Sequence, residues 1–222
     1  MSLDKKIRKN LDGEYIIIYA NQLSEGIAYA QQLQISQIQL RGFLEQTDAK
    51  VDFSELQKIS NSLEIISLET LENVINTDGF YSLKNLKKIY LDKQKFKIDI
   101  SKFPELEHLG GEYWKGLINV NRAISLQSLV LSKFSGLNLN ELSELKKLQR
   151  LHIYSSKIET LEGIEQLPLI GLSLVRNNAL ENIEAIHKLH KLKDLLIEKC
   201  KKISDYTFVD RLKEKIDVRV II

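Results

Sequence analysis

The most constraining feature of this sequence is that it repeats itself. The pattern L-x-x-L-x-L, with Ile or another apolar residue allowed at each L, recurs along most of the 222 residues. Clear copies begin at Ile35, Leu63, Leu86, Leu106, Leu126, Leu148, Leu169 and Leu192, at intervals of 28, 23, 20, 20, 22, 21 and 23 residues. A fixed period of this length is the signature of a stack of similar units, each supported by its neighbours. Within a unit, positions 4 and 6 alternate with period two and point to one side of a short strand. Beyond the strand the apolar spacing changes to three, as in Ile158, Leu161, Ile164, Leu167 and in Leu180, Ile183, Ile186, Leu189. Threes suit 3₁₀ or short helical turns on a return leg. Neither half can bury its apolar side alone, so strands must stack beside strands and return legs beside return legs.

Degenerate copies flank this array. Twenty residues before Ile35 stands Tyr15-x-x-Ile18-x-Ala20, and twenty-three after Leu192 stands Lys215-x-x-Val218-x-Val220. The expected organisation is a single domain over 1–222. Residues 1–34 form a divergent N-terminal cap repeat, 35–214 eight repeats and 215–222 a C-terminal cap strand. The copy at Leu106 is defective, because Gly111 stands where other copies place Leu or Ile.

These units are identified as leucine-rich repeats. The segment Leu148 to Leu169 resembles the 22-residue type found in internalins and in protein-phosphatase regulatory subunits. The resemblance runs over roughly residues 60 to 200. It implies an α/β fold: a right-handed, curved solenoid with a parallel β-sheet on its concave face and 3₁₀ or short helical segments on its convex face. Those families carry asparagine at position 9 of each repeat, bonding the loop backbone. Here only Asn177 matches; the other copies have Phe43, Leu71, Gln94, Trp114, Phe134, Ser156 and Cys200. The last full repeat, Leu192-x-x-Leu195-x-Ile197-x-x-Cys200-x-x-Ile203-Ser204-Asp205, is similar to the cysteine-containing repeat of F-box-associated proteins. That likeness implies a buried, structural Cys200, with Ser204 or Asp205 capping the next helical turn.

Composition narrows the function. With 32 basic against 30 acidic residues and a net charge of +2, the chain has no global attraction to nucleic acid or an anionic membrane. The short basic clusters Lys84-Lys87-Lys88, Lys93-Lys95-Lys97 and Lys199-Lys201-Lys202 read as solvated surface. The apolar run Tyr15 to Ala20 is too short for a signal sequence or for a membrane span of about 20 residues. One cysteine permits no internal disulfide, which suits a reducing, cytoplasmic setting. His187 and His190 lie three apart on one return leg, with only Glu184 and Asp194 as nearby candidate ligands. No phosphate-binding loop, zinc-protease motif or nucleophile elbow occurs. The expectation is therefore a non-enzymatic protein without cofactor, metal site or catalytic residues, acting as a monomer or weak dimer.

Its partner is expected to be another protein, bound on the concave face, where positions 3, 5, 7 and 8 of each repeat point into the hollow. Those positions bring Lys88, Tyr90 and Asp92, then His108, Glu112 and Tyr113, then Arg150, His152 and Tyr154. Trp114 stands beside them. Tyr, Trp and Arg most often carry binding energy. Trp114 has two alternatives, folding inward over Gly111 or standing at the rim beside Tyr113. A purely structural or self-associating protein is the alternative function class; an enzyme with an unrecognised site is a distant third.

Overall fold

The computed structural model describes residues 6–42 and 49–222; Phe43 lies outside them. In chain order the strands are β1 (Ile7–Asn10), β2 (Gly13–Tyr19), β3 (Gln37–Arg41), β4 (Val51–Asp52), β5 (Ile65–Leu68), β6 (Val74–Ile75), β7 (Lys88–Leu91), β8 (Ile98–Asp99), β9 (His108–Glu112), β10 (Leu117–Ile118), β11 (Ser128–Ser132), β12 (Arg150–Tyr154), β13 (Gly171–Val175), β14 (Asp194–Glu198) and β15 (Asp217–Ile221). Two α-helices, α1 (Leu23–Gln32) and α2 (Thr207–Leu212), join a series of 3₁₀ segments on the return legs. The described residues form two compact units. One holds 6–107 and 116–118; the other holds 108–115 and 119–222.

In the first unit β2, β3, β5 and β7 run parallel. The register pairs Ile38 with Ile66 and Ile66 with Ile89, and likewise Leu40, Leu68 and Leu91, so positions 4 and 6 align from repeat to repeat. All six side chains are buried. Two departures from the sequence expectation lie at the N-terminal end. Ile16 pairs with Ile38 and Ile18 with Leu40, so positions 4 and 6 of the cap repeat are Ile16 and Ile18. The cap motif therefore starts two residues before Tyr15. A period-two pattern keeps the same face after a shift of two, so Ile18 points inward in either register. Second, β1 pairs antiparallel with β2 and closes its outer edge. Gly13 makes that turn at φ +118°, a backbone conformation that side-chain-bearing residues avoid.

The return legs of the first unit are built on aromatic rings. Phe53 lies 5.8 Å from Phe80 and 5.6 Å from Phe96, and Phe80 lies 5.0 Å from Phe103. Phe53, Phe80 and Phe103 are at most 1% exposed. Such rings bury large apolar areas and prefer these tilted and edge-on contacts. The short parallel pairs β4–β6 and β8–β10 lie where those legs begin.

The second unit has the more regular stack, with β9, β11, β12, β13, β14 and β15 all parallel. Leu109, Leu129, Leu151, Leu172, Leu195 and Val218 share one row, and Gly111, Leu131, Ile153, Leu174, Ile197 and Val220 the next. The apolar threes behave as the spacing predicts, since Ile158, Leu161, Ile164 and Leu180 are at most 1% exposed. The core lies between the strand rows and these return legs.

Candidate functional site

The position after each strand sets what faces outward. In four successive repeats of the second unit, position 8 has a left-handed backbone: Lys133 (φ 56°), Ser155 (φ 51°), Arg176 (φ 54°) and Lys199 (φ 51°). Position 9 points inward in these repeats and equally in those of Leu71, Gln94 and Trp114, where position 8 is not left-handed. Leu71, Gln94, Trp114, Phe134, Ser156, Asn177 and Cys200 are all buried.

Position 9 also carries a hydrogen-bond ladder, of which asparagine is only one member. The Asn177 carboxamide accepts from the Ser156 N–H at 3.0 Å and donates to the Ile153 carbonyl at 2.8 Å. Ser156 does the same work with a hydroxyl, accepting from the Phe134 N–H and donating to the Tyr154 carbonyl, both at 3.0 Å. In the first unit Gln94 accepts from the Leu71 N–H and donates to the Glu69 and Asp92 carbonyls. Cys200 lies 3.5 Å from the Leu174 carbonyl and 3.6 Å from that of Glu198, as a weak thiol donor. Burial pushes the thiol pKa up, opposed by the Asn177 N–H. Backbone groups inside a turn must be paired, and any small or flexible polar side chain of suitable reach can do it. Ahead of α2 the N-cap position is Tyr206, which makes no side-chain cap, and the Asp205 carboxylate one residue earlier accepts from the Thr207 N–H at 2.7 Å.

This geometry corrects the place given to Trp114. Trp114 is only 8% exposed, so its side chain is buried and is not part of an exposed face. Tyr113, half-buried, packs its ring edge-on against Phe134 at 5.0 Å. It stands at the rim where the strands end. Glu112 beside it pairs with Lys133 at 2.9 Å.

Lys88, Tyr90 and Asp92 belong to the first unit, where the N-terminal turn alters their surroundings. Asp12, just before β2, is ion-paired with Lys88 on β7, although β3 and β5 intervene. The turn thus reaches across the starts of two strands. Beneath that span Gln37 and Ile65, both position 3, are only 8% exposed. Burial raises the Tyr90 phenol, with Lys88 opposing and Asp12 reinforcing. Coverage is confined to position 3 of these strands; Tyr90 is half-buried and Asp92 is exposed.

The second unit presents the open face. Its position-3 row reads His108, Ser128, Arg150, Gly171, Asp194; its position-5 row Gly110, Val130, His152, Ser173, Leu196; its position-7 row Glu112, Ser132, Tyr154, Val175, Glu198. Arg150, His152 and Tyr154 therefore project from one strand, with two neighbours on each side. Arg150 and Tyr154 are exposed. The Arg150 guanidinium lies 3.5 Å from Asp194, two strands away. His152, half-buried, is held below the ordinary histidine pKa by burial and then by Arg150, with Asp194 pulling the other way. It is therefore mainly neutral near pH 7. His108 is two strands from His152 and in a different row, so the register does not pair them.

Elsewhere in the second unit, His187 stacks on Phe208 at 4.1 Å beside an open hollow of about 440 Å³ that Arg211 also lines. Among the described residues, no group of three or more His, Cys, Asp or Glu is placed to hold a metal ion. No described helix is long and apolar enough to cross a membrane.

One short parallel strand per twenty-odd residues, 3₁₀ return legs and a bonded inward position 9 together define the leucine-rich-repeat fold, and this chain has it. Among solved structures it is similar to an internalin (inlF) of Listeria monocytogenes, with a TM-score of 0.59 and 14% identity over 86% of this chain and 69% of that one. It is also similar to internalin C2 of the same organism, at a TM-score of 0.50 and 19% identity over 89% of this chain and 92% of that one. No protein-family model matches the sequence. No curated protein sequence matches it either.

Proposed function

We propose that the protein is a non-enzymatic binding module that holds a partner protein on the sheet face of its second unit, with Arg150, His152 and Tyr154 at the centre. The observation that carries this reading is the composition of β12. Its three outward positions hold a guanidinium, a largely neutral imidazole and a 36%-exposed tyrosine, on a strand fixed by neighbours on both sides. Tyrosine and arginine on a rigid sheet lose little freedom when a partner covers them, which is why they dominate protein contacts. Glu112, Tyr113, Lys133 and Asp194 supply a mixed, polar surround. Lys88, Tyr90 and Asp92 are secondary in this reading, because Asp12 is already ion-paired with Lys88 there.

Affinity capture from native cell extract tests it, using the wild-type chain and an Arg150→Ala/Tyr154→Ala variant. The expected result is a protein retained by the wild type and lost with the variant. Retention of the same proteins by both would refute the reading.

A further inference from the structure

The turns at the ends of the second unit's strands carry a second surface. Positions 8 and 10 there are Tyr113 and Lys115, Lys133 and Ser135, Ser155 and Lys157, Arg176 and Asn178, Lys199 and Lys201. Six of these ten residues are basic and none is acidic, in a chain with 32 bases and 30 acids. Composition therefore does not explain the bias. All six cations are exposed, and each of the five repeats contributes at least one. The sequence hides the row, because its members lie some twenty residues apart and only Lys199 to Lys202 form a visible cluster.

Two further observations separate this row from ordinary solvated surface. First, Lys133, Arg176 and Lys199 occupy left-handed backbone positions, where glycine or asparagine would be cheaper. Long cationic side chains stand where the turn itself gives no reason for them. Second, neutralisation inside the chain is partial. Lys133 pairs with Glu112, and Lys199 lies 3.9 Å from Glu198. Lys115, Lys157, Arg176 and Lys201 enter no ion pair among the described residues. The row crosses four strand spacings of about 4.8 Å, roughly 19 Å in all. That is about six residues of extended polypeptide at roughly 3.3 Å each.

We infer that this rim docks an extended acidic polypeptide segment, laid across the strand ends with its carboxylates on Lys115, Lys157, Arg176 and Lys201. A protein segment fits better than a nucleic acid, since Tyr113 is the one aromatic among the ten positions and its ring is packed on Phe134. No series of rings is available to stack bases. The four docking cations, Lys115, Lys157, Arg176 and Lys201, lie outside the β12 face and its surround, so either set can fail without the other.

The test uses the full chain and three labelled probes: a twelve-residue glutamate peptide, a twelve-residue lysine peptide and a single-stranded oligonucleotide of equal length. Fluorescence anisotropy is read at about 50 mM and about 200 mM salt. The expected result is saturable binding of the glutamate peptide only, weakened at least fivefold by the higher salt. Lys157→Glu/Arg176→Glu/Lys201→Glu should weaken it at least tenfold, and the corresponding triple Gln variant by less. Arg150→Ala/Tyr154→Ala should leave it unchanged. Wild-type melting of the Gln variant separates loss of charge from loss of fold. Absence of saturable glutamate binding, undiminished binding by a folded triple variant, or tighter binding of the oligonucleotide would overturn the assignment.

Discussion

Arg150 and Asp194 stand two strands apart, yet their side chains meet at 3.5 Å over Gly171. A Cβ at Gly171 would lie 2.8 Å from the Arg150 Nη1 and 2.7 Å from an Asp194 carboxylate oxygen. The missing side chain is what lets the pair form. Both partners are about half exposed, so the pair contributes at most about 1 kcal/mol to stability. Its larger effect is to fix the guanidinium on the sheet face. Gly171→Val should part the two side chains and shift melting only slightly, because the obstructed atoms are the ends of flexible chains. A double-mutant cycle with Arg150→Ala and Asp194→Ala checks the coupling; a value well above 1 kcal/mol would contradict this account.

His152 next to that pair gives a pH dependence of known sign. Its folded pKa lies below the ordinary value of 6.5, so protonation favours the unfolded chain. Its contribution is intact at neutral pH and is lost as pH falls below 6.5 towards the folded value. The drop in melting temperature between neutral pH and about pH 5.5 should shrink in His152→Gln. An unchanged drop would assign it to other groups.

The core of the second unit should not tolerate charge. Leu151 is fully buried in the middle of the stack, and each repeat is supported only by its neighbours. Leu151→Asp strands an unpaired carboxylate at a cost of several kcal/mol and should unfold the array, read by circular dichroism. Wild-type melting of that variant would refute the register.

The position-9 ladder ranks its members. Asn177→Ala leaves the Ser156 N–H without its acceptor in the interior and should cost about 1–3 kcal/mol. Cys200→Ser should cost about 1 kcal/mol or less, since a hydroxyl can serve the same carbonyls. Denaturant titration of the two variants gives the order directly. The raised, buried thiol of Cys200 should also react slowly with thiol reagents in the folded chain and fast in denaturant.

Much of this was legible in the sequence, and the misses have physical causes. Triplets such as Leu129/Leu131 and Leu151/Ile153 are readable because a two-residue period with a buried side admits few alternatives. The cap repeat slipped by two residues because Tyr15, Ile16, Ile17 and Ile18 are all apolar and show no alternation. The β1–β2 hairpin breaks the period and so left no trace in it. Asparagine alone is too narrow a signature for position 9, because the turn requires a reachable polar atom, which Gln94 and Ser156 also provide. The Arg150–Asp194 pair was present in the sequence as Arg, Gly, Asp at position 3 of three successive repeats. Reading it required laying the repeats side by side and looking two strands across.

Trp114 supplies an optical check on that turn geometry. It is the single tryptophan of the chain, so its emission is unambiguous. Emission should be blue-shifted and resistant to aqueous quenchers. A red-shifted, readily quenched spectrum would put the ring at the rim.

The central claim, that the β12 face receives a partner protein, is tested most directly by photo-crosslinking. A photoreactive amino acid is placed at Tyr154, and in a second protein at the exposed Glu144 on a return leg, and each is irradiated in native extract. The account predicts a discrete crosslinked protein from position 154 that is absent from position 144 and lost when Arg150→Ala is added. Crosslinks from position 144 alone, or none from position 154 with a folded protein, would contradict it.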